Sequence, residues 1–301
     1  MYCLRKTLAN HELSARLVRF SHTMLFTGQS DRYRGLHIEL RNDSQLTHVS
    51  THEFESSLKD AIERWTREEY RVSWFQIGLN LTHFIPALVK FGYVFHHSKT
   101  DYVVMNKWLS TTEPKNIPDY AFTNVGVGGL VIDDNDRVLV VKEKHFFGNQ
   151  QMWKFPGGYA IQGEDFGQTA VREVLEETGI ECEFQSVISF RHIHKFAFDC
   201  SDIYIVCHLK PVTHKANNSD ADSTATDSTG SGLAVKKCEY EIDDCQWMAI
   251  DELKPQLSQF NAYIIDRYLS NRANGVKISL ESIPSIIKNI NQQTYCVHKQ
   301  L

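Results

Sequence analysis

The sequence lacks any uninterrupted apolar run near the roughly 20 residues that a membrane-spanning helix requires, although 42% of its 301 residues are hydrophobic. It also lacks an excess of positive charge: 32 lysine and arginine residues face 37 acidic residues and leave a formal net charge of −5. Proteins that grip nucleic acid or anionic membrane present a dominant basic surface. We therefore expect no membrane span, and nucleic acid is disfavoured as the main partner.

Closely spaced cysteines are also missing, since no C-x-x-C pair occurs and the total of seven is odd. Neither a disulfide framework nor a zinc site is indicated by that pattern. We expect reduced intracellular thiols that are mostly packed in the interior. The cysteines are Cys3, Cys182, Cys200, Cys207, Cys238, Cys245 and Cys296.

The first 34 residues form a basic segment without a secretory apolar core. Four basic residues, Arg5, Lys6, Arg16 and Arg19, stand against one acid, Glu12, in the first thirty residues. An arginine-containing, acid-poor, amphipathic start is typical of a mitochondrial presequence, and an ordinary N-terminal segment is the alternative. The segment 1–34 therefore predicts a mitochondrial or cytoplasmic protein that is not secreted.

The remaining chain divides by pattern into two domains. In residues 35–112 the alternating run "LHIEL" predicts a strand, and "STHEFESSLKDAIERWTREE" predicts an amphipathic helix. Two prolines in "TTEPKNIPDY" then indicate a linker. Residues 121–272 form the second domain, interrupted at 217–232 by a polar stretch that cannot bury enough apolar surface to fold. Residues 273–301 carry no motif and are assigned as a C-terminal tail.

The second domain opens with two β-rich runs that flank Asp133 to Asp136, a pattern that predicts a hairpin. Gly126, Gly128 and Gly129 in the first run suggest a nucleotide-binding loop at first sight. No G-K-[ST] sequence follows them, and no helix pattern begins there. We therefore predict that these glycines are small residues in a packed strand.

An acidic stripe occupies the stretch "REVLEETG", residues 172–179, where Glu173, Glu176 and Glu177 share one side of a predicted helix. Carboxylates three and four residues apart repel each other by ~0.2–0.5 kcal/mol per pair in an isolated helix. A cation between them explains why they are kept together. Oxygen ligands without histidine or cysteine select a hard cation, Mg²⁺ or Mn²⁺.

The sequence around this stripe resembles the Nudix box, G-x(5)-E-x(7)-R-E-U-x-E-E-x-G-U with U aliphatic, at every specified position. The wider chain, from about residue 36 to 255, resembles the Nudix motif 6 type, which includes the fibroblast-growth-factor antisense Nudix protein and plant ADP-ribose/NADH pyrophosphohydrolases. The segments that carry this likeness are "FGYVFHHSKTDYVVMNKWL", "MWKFPGG", "SVISFRHIH" and "SDIYIVCHLKP". The box residues are Gly158, Glu164, Arg172, Glu173, Val174, Glu176, Glu177, Gly179 and Ile180.

The resemblance implies an α/β fold, a Nudix α/β/α sandwich preceded by a small α/β pre-Nudix domain. The end of that first domain is similar to an acetyltransferase-type fold. Its pyrophosphate loop is absent from residues 36–112, so the domain is expected to serve docking or dimerisation. A homodimer or a protein partner through this domain is therefore expected.

The resemblance also implies roles for single residues. Glu173, Glu176 and Glu177 would bind Mg²⁺ or Mn²⁺, with Glu164 and the Gly158 carbonyl as weaker candidates. Arg172 would orient a carboxylate, because a guanidinium can bind one in bidentate fashion. Glu177, or Glu241 in "EIDDCQW", would act as the general base. The substrate-binding candidates are Phe155, Arg191 and His194.

The implied reaction is metal-dependent hydrolysis of a nucleoside diphosphate linked to another moiety. ADP-ribose or NADH is the expected substrate and AMP the expected product. The S-Q-P-W-P-F-P signature of one NADH pyrophosphatase group is absent. An RNA cap or an oxidised nucleotide as substrate, and a nucleotide-sensing interaction module, are therefore kept as alternatives.

The polar insertion generates a prediction about folding. Replacing residues 217–232 by a short Gly/Ser link should leave expression and melting temperature unchanged, because loop closure changes by only ~0.6 kcal/mol per doubling of loop length. Thermal unfolding of the two proteins side by side measures this. A large fall in melting temperature on deletion would mean that the segment packs against the fold.

Overall fold

The computed structural model describes residues 25–41, 44–145, 151–212, 233–283 and 292–299. The chain forms two compact units, Met1–Ala121 and Phe122–Leu301. The predicted insertion at 217–232, and residues 1–24 of the predicted presequence, lie outside the described residues. Within the described ranges, no helix is long and apolar enough to cross a membrane.

The first unit is a five-stranded sheet in the order β1-β2-β3-β5-β4, with β2 and β3 parallel and the other neighbouring pairs antiparallel. Two helices pack with it to form one core. This is the mixed α/β pattern that the sequence predicted. The likeness to an acetyltransferase fold stays a prediction. The elements are β1 (Gln29–Ser30), β2 (Gly35–Leu40), α1 (Thr51–Arg67), β3 (Val72–Gly78), α2 (Ile85–Lys90), β4 (Val94–Lys99) and β5 (Tyr102–Trp108).

The capping residues and the apolar side of α1 explain why this stretch forms a helix. Ser50 and Glu53 form a capping box, in which the Glu53 carboxylate accepts the Ser50 backbone N–H at 2.9 Å and satisfies a donor that the helix leaves free. One apolar side of α1 is buried, and Phe54 stacks on Phe84 at 4.1 Å between ring centroids. The predicted amphipathic helix is therefore confirmed.

The second unit is built on a six-stranded sheet in the order β13-β12-β9-β10-β6-β8, with β11 and β7 paired as a second, two-stranded sheet. Strands β6 and β10 are parallel. The elements are β6 (Thr123–Val131), β7 (Arg137–Glu143), β8 (Gly157–Tyr159), α3 (Phe166–Thr178), β9 (Cys182–Ile193), β10 (Ser201–Pro211), β11 (Ile242–Ala249), α4 (Ile250–Leu253), α5 (Gln259–Ala273), β12 (Val276–Ile283) and β13 (Gln292–Lys299).

Strand β6 separates two cores because its side chains alternate between the two faces of the sheet. Val127 packs in one cluster with Val174 of α3, whereas Leu130 packs in another with Ile264 of α5. The sheet therefore lies between α3 on one face and α5 on the other, which is the predicted α/β/α arrangement. Gly126 and Gly128 lie inside β6, so their predicted place in a packed strand is confirmed.

The connection from β6 to β7 is a tight turn, but the predicted hairpin is not formed as a paired ladder, because β6 and β7 belong to different sheets. A single antiparallel bridge joins Ile132 and Val138 beside the turn. The Asp133 carboxylate accepts the backbone N–H groups of Asn135 at 2.9 Å and Arg137 at 2.8 Å. These bonds fix the turn, as aspartate does in many tight turns.

The C-terminal segment differs from the expectation of a tail without motif. Strands β12 and β13 pair along their full length and extend the main sheet, through Ile278 of β12 beside Val187 of β9. Tyr295 of β13 stacks on Phe166 at 5.1 Å between ring centroids. Ile278 and Tyr295 are partly buried against the core on the α3 side of the sheet, and such long-range packing leaves little trace in local sequence.

The six cysteines within the described ranges are free, and three of them, Cys182, Cys207 and Cys245, are buried. Burial raises the pKa of each of these three thiols to about 12. Such thiols are unreactive because the nucleophile is the thiolate. Their place in the fold is that of small core residues.

Burial of His208 generates a prediction about acid stability. Burial, with a contribution from Arg272, lowers the pKa of His208 to about 4. In the unfolded chain the imidazole of His208 is therefore protonated below about pH 6.5, whereas in the folded chain it stays neutral until about pH 4. Stability should therefore fall as the pH drops from about 6.5 towards 4, by at most on the order of 3 kcal/mol.

The variant His208→Gln removes this titration and should lose less stability than the wild type between pH 7 and pH 5. Urea unfolding at each pH measures the difference. His192→Gln, at an exposed histidine of β9, is the matched control and should follow the wild type. Parallel curves for wild type and His208→Gln would contradict the prediction.

Candidate active site

Helix α3 carries the acidic stripe, and its two ends are fixed locally. The side chain of Gln168 accepts the backbone N–H of Asp165 at 2.9 Å at the N-terminus. Gly179 ends the helix in the left-handed conformation, with φ of 71°, which glycine adopts without steric cost. Ala170, Val174 and Glu177 are buried on one side of the helix, whereas Glu173 is half-buried and Glu176 is exposed.

Arg172 pairs with two carboxylates of this stripe, Glu173 and Glu176, and with Glu164 from the preceding loop. Its guanidinium donates to Glu164 at 2.7 and 2.9 Å, to Glu173 at 2.7 Å and to Glu176 at 3.1 Å. It also donates to the carbonyl of Tyr159 at 3.1 Å. The hydrogen bonds from Arg172 hold the pKa of Glu164 at about 2. In this arrangement one cation offsets the repulsion of three carboxylates.

Glu177 is held apart from this group. Its side chain is only 5% exposed, and its Oε2 accepts the backbone N–H of Gly157 at 3.0 Å. Burial raises the pKa of Glu177 to about 7; Glu173 and Glu143 add to the shift, and Lys154 opposes it. An ionised Glu177 is therefore costly at this buried position.

Two consecutive glycines join β8 to this helix at close range. A Cβ on Gly157 would stand 2.2 Å from the Val127 carbonyl oxygen, and a Cβ on Gly158 would stand 2.7 Å from the Glu173 carboxylate. Side chains at either position would push the strand away from its neighbours. The absence of both Cβ atoms therefore lets Glu173 and Glu177 lie against the backbone of β8.

The donors around Gly157 and Gly158 suit a hard cation by their chemistry, because they are carboxylate and carbonyl oxygens. Their present orientation is different: Glu164, Glu173 and Glu176 turn to Arg172, and Glu177 turns to Gly157. Among the residues that the structure describes, no group of three or more His, Cys, Asp or Glu side chains is arranged to hold a metal ion. A metal would therefore require Glu173 and Glu176 to turn at least partly from Arg172.

Glu241 is exposed and directly precedes β11. The segment before it crosses the end of α3, since Cys238 and Lys236 donate their backbone N–H groups to the carbonyls of Glu177 at 2.9 Å and Thr178 at 2.8 Å. The backbone of Glu241 accepts a bond from Lys144 at 2.8 Å. The described contacts of Glu241 involve its backbone and leave its carboxylate exposed.

The three predicted substrate-binding residues have different surroundings. Phe155 is 1% exposed and packs in the α5-side core with Trp153. A base cannot stack on a ring without an exposed face, so the predicted stacking role of Phe155 is wrong for this conformation. The exposed His194 contacts Ser201 through its Nδ1 at 2.8 Å. Arg191 is half-buried on the α5-facing side of β9.

An ion pair that sequence reasoning did not find lies beside Glu177. Lys154 pairs with Glu143 of β7, and both influence the pKa of Glu177. The two side chains are brought together by the antiparallel bridge between Val141 and Lys154. A local pattern could not reveal this pair because the bridged residues, Val141 and Lys154, are distant in the sequence.

Comparison with known proteins gives matches along most of the chain. A family model described as "NUDIX domain" matches residues 122–268, and one described as "Nudix hydrolase domain" matches residues 26–109. The human protein "Nucleoside diphosphate-linked moiety X motif 6" is 32% identical over 283 residues, which cover 91% of this chain and 82% of that relative.

A plant relative and a solved structure extend the comparison. "Nudix hydrolase 2" of Arabidopsis thaliana is 33% identical over 250 residues, covering 83% of this chain and 81% of that relative. A structure described as a NUDIX hydrolase from Nitrosomonas europaea aligns with a TM-score of 0.38 and 22% identity, covering 50% of this chain and 90% of that one.

The buried carboxylate of Glu177 generates a prediction about the metal-free protein. Its pKa is raised to about 7, so the stability it contributes is lost as the pH rises from about 4.5 through 7. In EDTA at pH 8, Glu177→Gln should therefore melt at a higher temperature than wild type. Its free energy of unfolding should be greater by at most on the order of 3 kcal/mol.

Glu176→Gln is the matched control, since Glu176 lies on the same helix and is exposed. Its effect on melting temperature should be small, as for most exposed ion pairs. A Glu177→Gln protein that is less stable than wild type at pH 8 would show that the buried charge is compensated.

Proposed function

Since the chain belongs to the Nudix hydrolase family, we propose that it is a divalent-metal-dependent pyrophosphohydrolase that cleaves the diphosphate of a nucleoside diphosphate derivative. The observation that carries this proposal is the collection of four carboxylates, Glu164, Glu173, Glu176 and Glu177, near Gly157 and Gly158 of β8. A diphosphate brings further negative charge to that strand. Only a layer of cations makes such a juxtaposition favourable.

The metal would be Mg²⁺ or Mn²⁺, held by Glu173, Glu176 and Glu177, with Glu164 and the Gly158 carbonyl in supporting positions. When bound, it would neutralise phosphate charge and acidify the attacking water. The protein's own contribution is geometric. Arg172 holds Glu164 in place by two hydrogen bonds, and the missing side chains of Gly157 and Gly158 let Glu173 and Glu177 lie against the backbone of β8.

Two carboxylates are candidates for the general base that accepts the proton of the attacking water. Glu177 accepts the backbone N–H of Gly157 in β8, and this place beside the other carboxylates favours Glu177 as the base. Glu241 follows the segment bonded to the end of α3, and its exposed carboxylate is free to approach a bound substrate. Loss of kcat in Glu241→Gln with metal affinity unchanged would identify Glu241 as the base.

We propose ADP-ribose or NADH as the substrate, cleaved by addition of water to give AMP plus ribose 5-phosphate or reduced nicotinamide mononucleotide. This choice rests on the resemblance of the box and its flanking segments to the ADP-ribose/NADH group. It is also consistent with Arg191 as a cationic contact outside the carboxylate group. His194, exposed at the end of β9, is retained as a second contact for the ribose or phosphate.

The first unit is proposed as a docking or dimerisation module. Its edge strand β4 exposes Phe95 to 62% and Val94 to 48%. An edge strand with exposed apolar residues offers both unpaired backbone groups and apolar surface to a partner. Such a surface suits a second copy of this chain or another protein.

The test of the proposed function is product analysis. Purified protein should convert ADP-ribose or NADH to AMP with Mg²⁺ or Mn²⁺ and should be inactive in EDTA; capped RNA and oxidised nucleotides complete the panel. Glu176→Gln should lose ~10²-fold or more of the activity, comparable to removing a key electrostatic contact. Glu63→Gln, at an exposed glutamate of α1, is the matched control and should keep full activity.

Two results would contradict the proposal. Release of inorganic phosphate instead of AMP would place cleavage at a different bond. A complete lack of reaction with nucleoside diphosphate derivatives in the presence of metal would leave binding without catalysis.

A further inference from the structure

A cluster of one cation and two aromatic rings lies on the α5-facing side of the main sheet. The guanidinium carbon of Arg191 is 5.2 Å from the ring centroid of Tyr204 and 4.8 Å from that of Phe260. The two rings are themselves 6.1 Å apart at an angle of 63°. These three residues, from β9, β10 and α5, are called the arginine bracket below.

Among the residues that the structure describes, no acidic side chain pairs with Arg191. Arg137, Arg172 and Arg272 of the same unit each pair with a carboxylate, whereas the described contacts of Arg191 are those with the two rings. Its Nε–H is buried and has no hydrogen-bond partner in the described part of the chain. A desolvated donor without an acceptor is unfavourable. An anionic ligand at this guanidinium would supply the missing hydrogen-bond acceptor.

The bracket is connected to the carboxylate site through Tyr204. This residue is in register with Arg191 on one side and Gly126 on the other. A Cβ on Gly128 would stand 2.1 Å from the Tyr204 hydroxyl oxygen, so the ring lies flat on β6. Gly128 in turn pairs with Gly157, whose N–H binds Glu177. The tyrosine hydroxyl is therefore about one strand spacing, ~5 Å, from Gly157 of β8.

We propose that Tyr204 and Phe260 are positioning residues that hold Arg191 where it binds a phosphate group of the substrate, on the side of the diphosphate away from the carboxylates. The identity of the ligand rests on the proposed function. The position of the cation does not, since it follows from the bracket itself.

Aromatic rings suit this task better than a carboxylate. An acidic partner would fix the guanidinium equally well but would neutralise its charge and repel phosphate. Rings attract the face of the guanidinium through their quadrupole and leave its N–H edges for a ligand. A planar fork held in this way matches a phosphate group, which it can bind in bidentate fashion.

A double-mutant cycle on turnover tests the inference. Phe260→Leu keeps apolar bulk and removes the ring; it should raise KM about tenfold with kcat within about twofold, the size of a partly desolvated cation–π contact. Arg191→Ala should raise KM at least as much. In the Arg191→Ala background, Phe260→Leu should add nothing, because residues that act through one another are not additive.

Tyr263→Leu is the matched control. Tyr263 lies on the same helix, is 54% exposed, and has the guanidinium of Arg267 over its ring at 5.3 Å. Its loss should leave KM and kcat unchanged. An effect of Phe260→Leu that persists in full without Arg191, or a fall in kcat at constant KM, would overturn the inference.

A binding measurement separates this inference from the proposed function. Calorimetric titration of the metal-free protein with AMP and with adenosine compares ligands that differ by one phosphate. Wild type should bind AMP more tightly than adenosine; Arg191→Ala should abolish the difference and Phe260→Leu should reduce it. Equal affinity of wild type for both ligands, or an unchanged preference in the variants, would refute the bracket as a phosphate site.

The two proposals can fail separately. If no nucleoside diphosphate derivative is hydrolysed but the preference for AMP depends on Arg191 and Phe260, the proposed function fails and the bracket stands. If AMP is produced but KM and AMP preference are unchanged in Phe260→Leu, the function stands and the bracket fails. Phe260→Met serves as a second variant should Phe260→Leu not fold.

Discussion

Arg172 holds carboxylates from a loop and from its own helix at the same time, and the local structure depends on this. Glu164 comes from the loop after β8, whereas Glu173 and Glu176 are one residue and one turn away on α3. Without a shared cation these groups would repel one another and favour separation of the loop from the helix. The guanidinium therefore stabilises both the helix and the approach of the loop to it.

The same constraint explains why Gly157 and Gly158 of β8 are glycines. Because Glu173 is drawn towards Arg172, its carboxylate lies where a Cβ of residue 158 would stand. Glu177, on the neighbouring side of the helix, can then reach the N–H of Gly157. One electrostatic contact and two missing side chains thus bring a helix on one face of the sheet to the edge strand β8. Burial, with smaller contributions from Glu173 and Glu143, makes the ionised form of Glu177 unfavourable, and a bound cation would relieve that cost.

Local sequence predicted this part of the molecule because its causes are local. The acidic stripe, the arginine and the glycines lie within one short stretch, and the period of the helix fixes which of them share a side. Phe155 was misplaced for the opposite reason: whether a strand aromatic faces solvent or core depends on α5, far away in sequence. The hairpin of β12 and β13 escaped prediction likewise, since its pairing partner is β9.

Two arginines in one unit show how surroundings decide what a cation does. Arg172 is surrounded by carboxylates, which neutralise its charge within the protein. Its role is to hold these carboxylates in position. Arg191 is surrounded by aromatic rings, which restrict its orientation without cancelling its charge. No periodicity distinguishes the two, because the partners of Arg191 come from β10 and α5. A positive charge that the fold fixes but leaves uncompensated is available to an anion, and the adjacent carboxylate site is where the diphosphate of a substrate would lie.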